Sequence, residues 1–402
     1  MIPEINIGMV GHIDHGKTSL LKSLTGKWAS THSEEKKRGI TIRLGYSSMT
    51  IHKCPKGEYT KHPKCVSHNL KAKPVRSISF VDAPGHETLM ATMLSGASVM
   101  DAAILLIAAN EKCPQPQTRE HLAALSIMGI KKIIIIQNKV DLVKDDRAKQ
   151  SYKEIKKFVK GSIAEDAPII PMSALHEANL DILLEAIQEF FKTPKRDPKK
   201  AALMLISRSF DVNKPGTKPK DLQGGVLGGI LKQGRLEQGS KVTVLPGLKV
   251  EEKGQVKWKP IKTEIEDLFY GSQKVKKAVP GGNFGASTKL DPSLTQGDQL
   301  AGSVLCMNDQ LIPVFTDELK IKPELMKRVV GTAEELTTSK LEVNEPLMIN
   351  AYTAKTVGVI TKTKPELTVR LKLPIAIEKG EKIALSRFIN NKWRLVGSAT
   401  VL

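Results

Sequence analysis

Gly11-His12-Ile13-Asp14-His15-Gly16-Lys17-Thr18 decides the fold of this chain. It has the spacing G-x-x-x-x-G-K-[ST]. It follows an apolar run in which Ile5, Ile7, Met9 and Val10 read as a buried strand, and it opens a helical pattern. A glycine-rich turn between a strand and a helix brings backbone N–H groups close to phosphate oxygens, and the helix N-terminus adds a favourable dipole. Asp14, His15, Gly16, Lys17, Thr18 and Ser19 are the candidates to hold the phosphates of a nucleotide. Lys17 reaches the β- and γ-phosphates, and the Thr18 hydroxyl meets Mg²⁺. Working outward, residues 77–81, 102–108, 132–137 and 168–172 read as further strands, with helical patterns between them. Leu180, Leu183, Leu184, Ile187 and Phe191 share one helical face, with Asn179 placed to cap it. Near-continuous apolar strands alternating with helices predict a mostly parallel sheet covered on both faces.

Two later segments complete a nucleotide site. Asp82-Ala83-Pro84-Gly85-His86 ends a strand expected to lie beside the first one. A carboxylate at Asp82 can hold Mg²⁺, and the Gly85 N–H can sense a γ-phosphate. Asn138-Lys139-Val140-Asp141 follows another strand. Asp141 can accept two hydrogen bonds from guanine N1–H and its 2-amino group, a donor pair that adenine lacks. Loss of such buried pairing discriminates between ligands by ~10⁴. The Lys139 stem can lie on the base, and the backbone of Ser173-Ala174-Leu175 can meet guanine O6. GTP or GDP with Mg²⁺ is therefore the expected ligand set.

The chain has 402 residues and a formal net charge of +20, which suggests a polyanionic partner such as RNA. Cys54, Cys65, Cys113 and Cys306 are too few for a disulfide framework and point to a reducing compartment. The first eight residues do not read as a signal peptide. The longest apolar run, residues 102–109, is far shorter than the ~20 residues of a membrane helix. A cytoplasmic protein without a membrane partner is expected.

Residues 192–200, KTPKRDPKK, read as a linker, and beyond them the helical patterns largely vanish. Short apolar runs separated by Gly, Pro and Asn predict two β-barrels. The expected architecture is an α/β P-loop GTPase domain over 1–195, then barrels over 200–310 and 311–402. Glycines at 224, 225, 228 and 229 permit close approach, either of a ligand or of another strand at a barrel corner.

These motifs, in this order, resemble the translational GTPases. Within that class the chain is most similar to the gamma-subunit family of archaeal initiation factor 2. The likeness is carried by Lys37-Arg38-Gly39-Ile40-Thr41-Ile42, by Gly85-His86-Glu87 and by Met90-Ala91-Thr92-Met93-Leu94-Ser95-Gly96. It is also carried by Pro114-Gln115-Pro116-Gln117-Thr118-Arg119-Glu120-His121 and by Ser209-Phe210-Asp211-Val212-Asn213-Lys214-Pro215-Gly216. The resemblance implies that Thr41 is a switch threonine on Mg²⁺, that Gly39 and Asp14 contribute to a second magnesium site, and that His86 orients the attacking water. Ile13 and Ile40 resemble an apolar gate around that histidine. It further implies binding of initiator methionyl-tRNA, association with alpha and beta subunits, and work on the small ribosomal subunit. An elongation factor, general or selenocysteine-specific, and the GTPase subunit of a sulfate-activating enzyme share the nucleotide motifs. The loop at residues 52–75 and residues 210–216 speak against the first, and residues 37–46 with 210–216 against the second.

The family often carries two C-x-x-C pairs near residues 52–68, and this chain departs from that. Cys65-Val66-Ser67-His68 keeps the spacing with His second, whereas Cys54-Pro55-Lys56-Gly57 has no second thiol. Zinc held by Cys54, Cys65 and His68 needs a fourth ligand, for which His52 and His62 are the candidates. With one pair incomplete, the expectation is a polar loop that has lost its metal.

Overall fold

The computed structural model describes residues 1–26, 44–86, 89–252, 254–329 and 337–402. Gly39, Ile40 and Thr41 lie outside the described residues. The chain divides into two compact units, the first built on Met1–Pro194 and the second on Lys195–Arg328 with Thr337–Leu402.

In the first unit the strands are β1 (Asn6–Gly11), β2 (Gly45–Lys53), β3 (Tyr59–Thr60), β4 (Lys73–Asp82), β5 (Ala102–Ala108), β6 (Ile133–Asn138) and β7 (Ile169–Pro171). They form one sheet in the order β3-β2-β4-β1-β5-β6-β7. Strands β4, β1, β5, β6 and β7 run parallel. Every residue of β1, β5 and β6 is buried, as expected of strands covered on both faces. The covering helices are α1 (Lys17–Thr25), α2 (Met90–Ala97), α3 (Pro116–Ile127), α4 (Asp145–Val159) and α5 (Leu180–Phe190). The core of this unit joins Ile7, Met9, Leu20, Leu21, Phe80, Ile104, Ile134, Leu183 and Ile187.

The sheet is mostly parallel, as expected, with an antiparallel edge the sequence did not reveal, and one cap reading changes. Strand β2 runs antiparallel to β4 and carries β3 on its outer edge, so the sheet is mixed on that side. Asn179 does stand before α5, but in a left-handed conformation with no side-chain cap; its amide donates to the Pro171 carbonyl instead.

The second unit is all β. Its first barrel takes Leu203–Phe210, Val226–Gln233, Lys241–Glu252, Gln255–Tyr270, Asn283–Thr288 and Val304–Met307, and closes where Lys241–Glu252 pairs with Gln255–Tyr270. The second barrel takes Glu318–Leu325, Pro346–Ala351, Ala354–Lys362, Leu367–Leu371, Lys382–Ile389 and Lys392–Val401, and closes by pairing its first strand with its last. The two barrels touch: Thr353 Oγ1 donates to the Ile206 carbonyl, and Lys232 Nζ bridges the Tyr352 hydroxyl and Glu381. The glycine density at 224–229 serves strand packing. A Cβ on Gly229 would meet the Leu205 carbonyl oxygen at 1.9 Å, and one on Gly224 the Thr288 carbonyl oxygen at 1.8 Å.

Candidate nucleotide-binding site

The loop after β1 and the start of α1 form the floor of the site. Gly16 adopts φ 93° at the helix N-cap, and Asp14 also has positive φ, so consecutive amides curl toward one point. The first turn of α1 begins at Lys17, and its leading N–H groups, Ser19 included, have no carbonyl partner within the helix. Lys17 Nζ lies across the loop, donating to the carbonyls of Gly11 (3.0 Å) and His12 (2.7 Å). Burial pulls its ammonium down to about 8, against the pull of Asp82 and Asp14.

Register places the other segments over this floor. Met9 of β1 pairs with Asp82 of β4, so the two strands end together. Thr18 Oγ1 donates to Asp82 Oδ2 at 2.9 Å, and Asp82 is fully buried. Hard oxygen donors in this position fit Mg²⁺: a threonine can keep donating to the carboxylate while a lone pair faces the ion. Gly85 packs so closely that a Cβ there would stand 2.5 Å from Lys17 Nζ and 3.0 Å from the Gly11 carbonyl oxygen. His86 follows at once, half-buried, and its carbonyl accepts the Leu89 N–H.

On the other side, Asn138 ties two loops together. Its Nδ2 donates to the His15 carbonyl at 2.9 Å, and its Oδ1 accepts the Ala174 N–H at 3.0 Å. Asn138 and the Ala174 amide thus hold the site in shape. Lys139 takes φ 61° and turns the chain so that Asp141 sits in a short 3-10 turn, Val140–Leu142. The Asp141 carboxylate lies at the surface, 3.9 Å from His176 Nε2. Ser173 pairs with Ala178 across a tight loop on which Leu175 is exposed.

Sequence reasoning placed His15 among the nucleotide contacts. Its side chain turns away: Nδ1 meets the Leu106 carbonyl at 3.0 Å, and Nε2 lies 3.4 Å from Glu111. Only its backbone faces the loop. Nothing in the sequence marks His121 for the site, yet its Nδ1 accepts the Gly11 N–H at 2.8 Å from α3. Burial drives His15 down to about 4 and His121 to about 3. Both rings are neutral in the fold, whereas the unfolded chain protonates them below pH ~6.5. Their contribution is therefore intact above that pH and is lost on acidification toward 4 and 3, by about 1.4 kcal/mol per pH unit for each ring. Thermal unfolding of the first unit is expected to shift down steadily between pH 6.5 and 5. A His121→Asn variant, which keeps an acceptor for Gly11, is expected to show a shallower slope in the same scan.

The third cluster is Cys54, Cys65 and His68, whose ligand atoms all lie within 4.8 Å of one another. Neither His52 nor His62 belongs to it. Glu58 approaches instead, 3.5 Å from His68 Nδ1 and 3.8 Å from Cys65 Sγ. All four cysteines are free thiols and buried.

A parallel sheet whose strand ends gather a phosphate loop, an Asp–Thr pair and a guanine-type Asn-Lys-x-Asp turn, followed by two barrels, defines a translational GTPase. Comparison with known proteins agrees. Residues 3–193 match the model of the elongation factor Tu GTP binding domain, and residues 317–401 match that of the initiation factor eIF2 gamma C terminal. The translation initiation factor 2 gamma subunit of Methanocaldococcus jannaschii is 55% identical over 400 residues, covering 99% of this chain and 97% of the relative. That of Pyrococcus horikoshii is 53% identical over 396 residues, covering 98% and 96%. The chain belongs to the translation initiation factor 2 gamma subunit family, and it is a GTP-dependent initiation factor and a GTPase.

Among solved structures, a bacterial selenocysteine-specific elongation factor superposes with a TM-score of 0.76 at 23% identity, matching 100% of this chain and 58% of that one. Elongation factor SelB of Methanococcus maripaludis, in complex with a GTP analogue, gives 0.73 at 21% identity, matching 100% and 79%. At those identities the likeness shows a shared fold. Among the described residues no helix is long and apolar enough to cross a membrane.

Proposed function

We propose that this chain carries initiator methionyl-tRNA to the small ribosomal subunit in the cytoplasm, as one subunit of a factor with alpha and beta partners, and that GTP is its switch. Residues 1–195 hold the nucleotide, and the barrels over 200–310 and 311–402 complete the carrier. The observation that supports this most is the 2.9 Å contact between Thr18 and the buried Asp82, which gathers the phosphate loop and the γ-phosphate segment at one point.

Mg²⁺ bound beside Thr18 and Asp82 would neutralise charge on the β- and γ-phosphates. Lys17 leaves the Gly11 and His12 carbonyls for the phosphate oxygens, a stronger charge-assisted pairing. Gly85 offers its N–H to the γ-phosphate, and His86 holds the water in line. By the family resemblance, Thr41 would close over the same phosphate, and Gly39 with Asp14 would hold a second magnesium ion. Asn138 and Lys139 shape the base site, and Asp141 reads the guanine edge, with the Ser173-Ala174-Leu175 loop at its O6. Loss of the γ-phosphate releases the Gly85 and Thr41 contacts, which is how hydrolysis would be read elsewhere in the chain.

The chain's net charge of +20 supports an RNA ligand. Initiator methionyl-tRNA is expected to bind at least ~10-fold more tightly with a GTP analogue than with GDP, a coupling of ordinary allosteric size. Binding should weaken steeply between two salt concentrations, as phosphate contacts require. Equal affinity in the two nucleotide states would contradict the carrier reading. Equal binding of elongator tRNA would favour the elongation-factor reading instead.

A further inference from the structure

Helix α4 gathers positive charge on one side. Lys149, Lys153 and Lys156 recur every three or four residues, Lys160 follows at the helix end, and all four are exposed. That spacing puts them on a single face, about 5–6 Å from one to the next, in a stripe ~16 Å long. Lys157 stands beside it and is exposed too. The packed side of the helix is another one, made by Ser151, Ile155 and Val159. Among the described residues, none of these five ammonium groups meets a carboxylate. The acids nearby are engaged elsewhere. Glu154 accepts from Arg147 at 2.9 Å and 3.2 Å and from the Cys113 N–H at 2.9 Å. Glu165 takes the Gly161 N–H at 3.1 Å. Asp145 and Asp146 occupy the first turn, where the helix dipole favours them. The same dipole suits Lys156 and Lys157 in the last turn. It falls off within a turn, so it does not account for Lys149 and Lys153. Like charges three and four residues apart destabilise a helix, and a helix shaped for its fold alone interleaves acids with its lysines.

The chemistry of the stripe selects its partner. A lysine is a compact point charge on a flexible stem, suited to phosphate oxygens. Contacts of that kind position a protein on a nucleic acid without reading its sequence. The cores of protein interfaces, by contrast, are depleted in lysine and built on apolar anchors. Tyr152 is the only exposed large apolar side chain on α4. A nucleic-acid duplex carries a charge about every 1.7 Å of its axis, so a stripe of this length faces several phosphates. Membership of an initiation-factor family places the chain among the RNAs of translation. We propose that the face of α4 carrying Lys149, Lys153, Lys156 and Lys160 docks on the phosphate backbone of duplex RNA. This contact belongs to the GTPase domain and lies apart from the loops that gather the nucleotide. It rests on neither the guanine reading nor the tRNA reading above.

Binding of the full chain to a short blunt-ended RNA duplex tests the proposal, followed by the anisotropy of a dye on the RNA over a range of salt. Such a duplex has no aminoacylated end. The fourfold variant Lys149→Gln, Lys153→Gln, Lys156→Gln and Lys160→Gln is expected to bind at least ~10-fold more weakly at low salt. The slope of log K against log salt should flatten by about 3, since each neutralised phosphate contributes ~0.9. Lys153→Gln alone should flatten it by about 0.9, so the result does not hang on the folding of the fourfold variant. Glutamine is a good helix former and relieves the repulsion, so the fourfold variant should unfold at no lower temperature than the wild type. A second variant, with Lys320, Lys322, Lys355 and Lys372 of the second barrel changed to Gln, removes the same charge elsewhere and should leave the slope near the wild-type value. An unchanged slope in the α4 variants, or an equal fall in the barrel variant, overturns the site. Polyglutamate that binds more tightly than the duplex, and loses its hold in the α4 variants, would give the stripe to an acidic protein and overturn the RNA assignment. Failure of the wild type to bind GDP would instead strike the nucleotide site and leave the RNA result standing.

Discussion

Replacing Asp141 by asparagine is expected to move the nucleotide preference of this chain from GTP to XTP, changing the ratio of affinities by ~10⁴. A carboxylate facing guanine accepts from N1–H and from the 2-amino group. Asparagine presents an N–H₂ where one of those acceptors stood, so a donor meets a donor and a desolvated polar pair is left unmatched. Xanthine carries an oxygen at position 2, which accepts what the asparagine amide donates. The local fold should tolerate the exchange. Asp141 sits at the surface in the short turn Val140–Leu142, with His176 Nε2 3.9 Å away. Asn138, which carries the tie between the His15 and Ala174 backbones, is untouched. Competition of GDP and XDP for a labelled nucleotide measures the effect. A variant that keeps wild-type GDP affinity would remove Asp141 from base recognition.

The second large effect is expected at His86. In His86→Ala, GTP should bind as in the wild type while single-turnover hydrolysis slows by ~10² or more, the scale of losing a group that positions the nucleophile. The position follows from its neighbour: Gly85 lies against Lys17 and the Gly11 carbonyl, where a Cβ would stand 2.5 Å from Lys17 Nζ and 3.0 Å from that carbonyl oxygen. On the proposed function the next side chain would stand beside the phosphates. The chain then turns into α2 through the Leu89 N–H to His86 carbonyl bond. Wild-type hydrolysis in the variant would take His86 out of the mechanism.

The parts of this molecule that were legible in its sequence are those where chemistry constrains the backbone directly. A phosphate loop demands glycines at set positions, a lysine and a hydroxyl, and they stand in the text from Gly11 to Thr18. The fully buried strands β1, β5 and β6 read as unbroken apolar runs because both of their faces are covered. The antiparallel edge was harder to read. Strand β2 carries Tyr46, Ser47, Ser48, Thr50 and His52, and one half-open face makes such a strand resemble a polar loop.

Partners distant in sequence left no local signal at all. His121 meets Gly11 across 110 positions, and Lys61 meets Glu177 across 116. The only sign at His121 was a histidine on a helix whose neighbours Leu122, Ala124 and Leu125 are buried. Asn179 had the residue type of a cap, but a left-handed backbone sent its amide to Pro171.

The proposed function depends on one convergence: the loops after β1, β4 and β6 must hold a single guanine nucleotide. A crystal structure of this chain with a non-hydrolysable GTP analogue and Mg²⁺ tests it most directly. It should show Lys17 Nζ moved from the Gly11 and His12 carbonyls onto the β- and γ-phosphates, Thr18 and Asp82 about the metal, and the Asp141 carboxylate on guanine N1 and N2. A nucleotide bound elsewhere, or one bound here with Lys17 still on those carbonyls and Asp141 facing solvent, would contradict it.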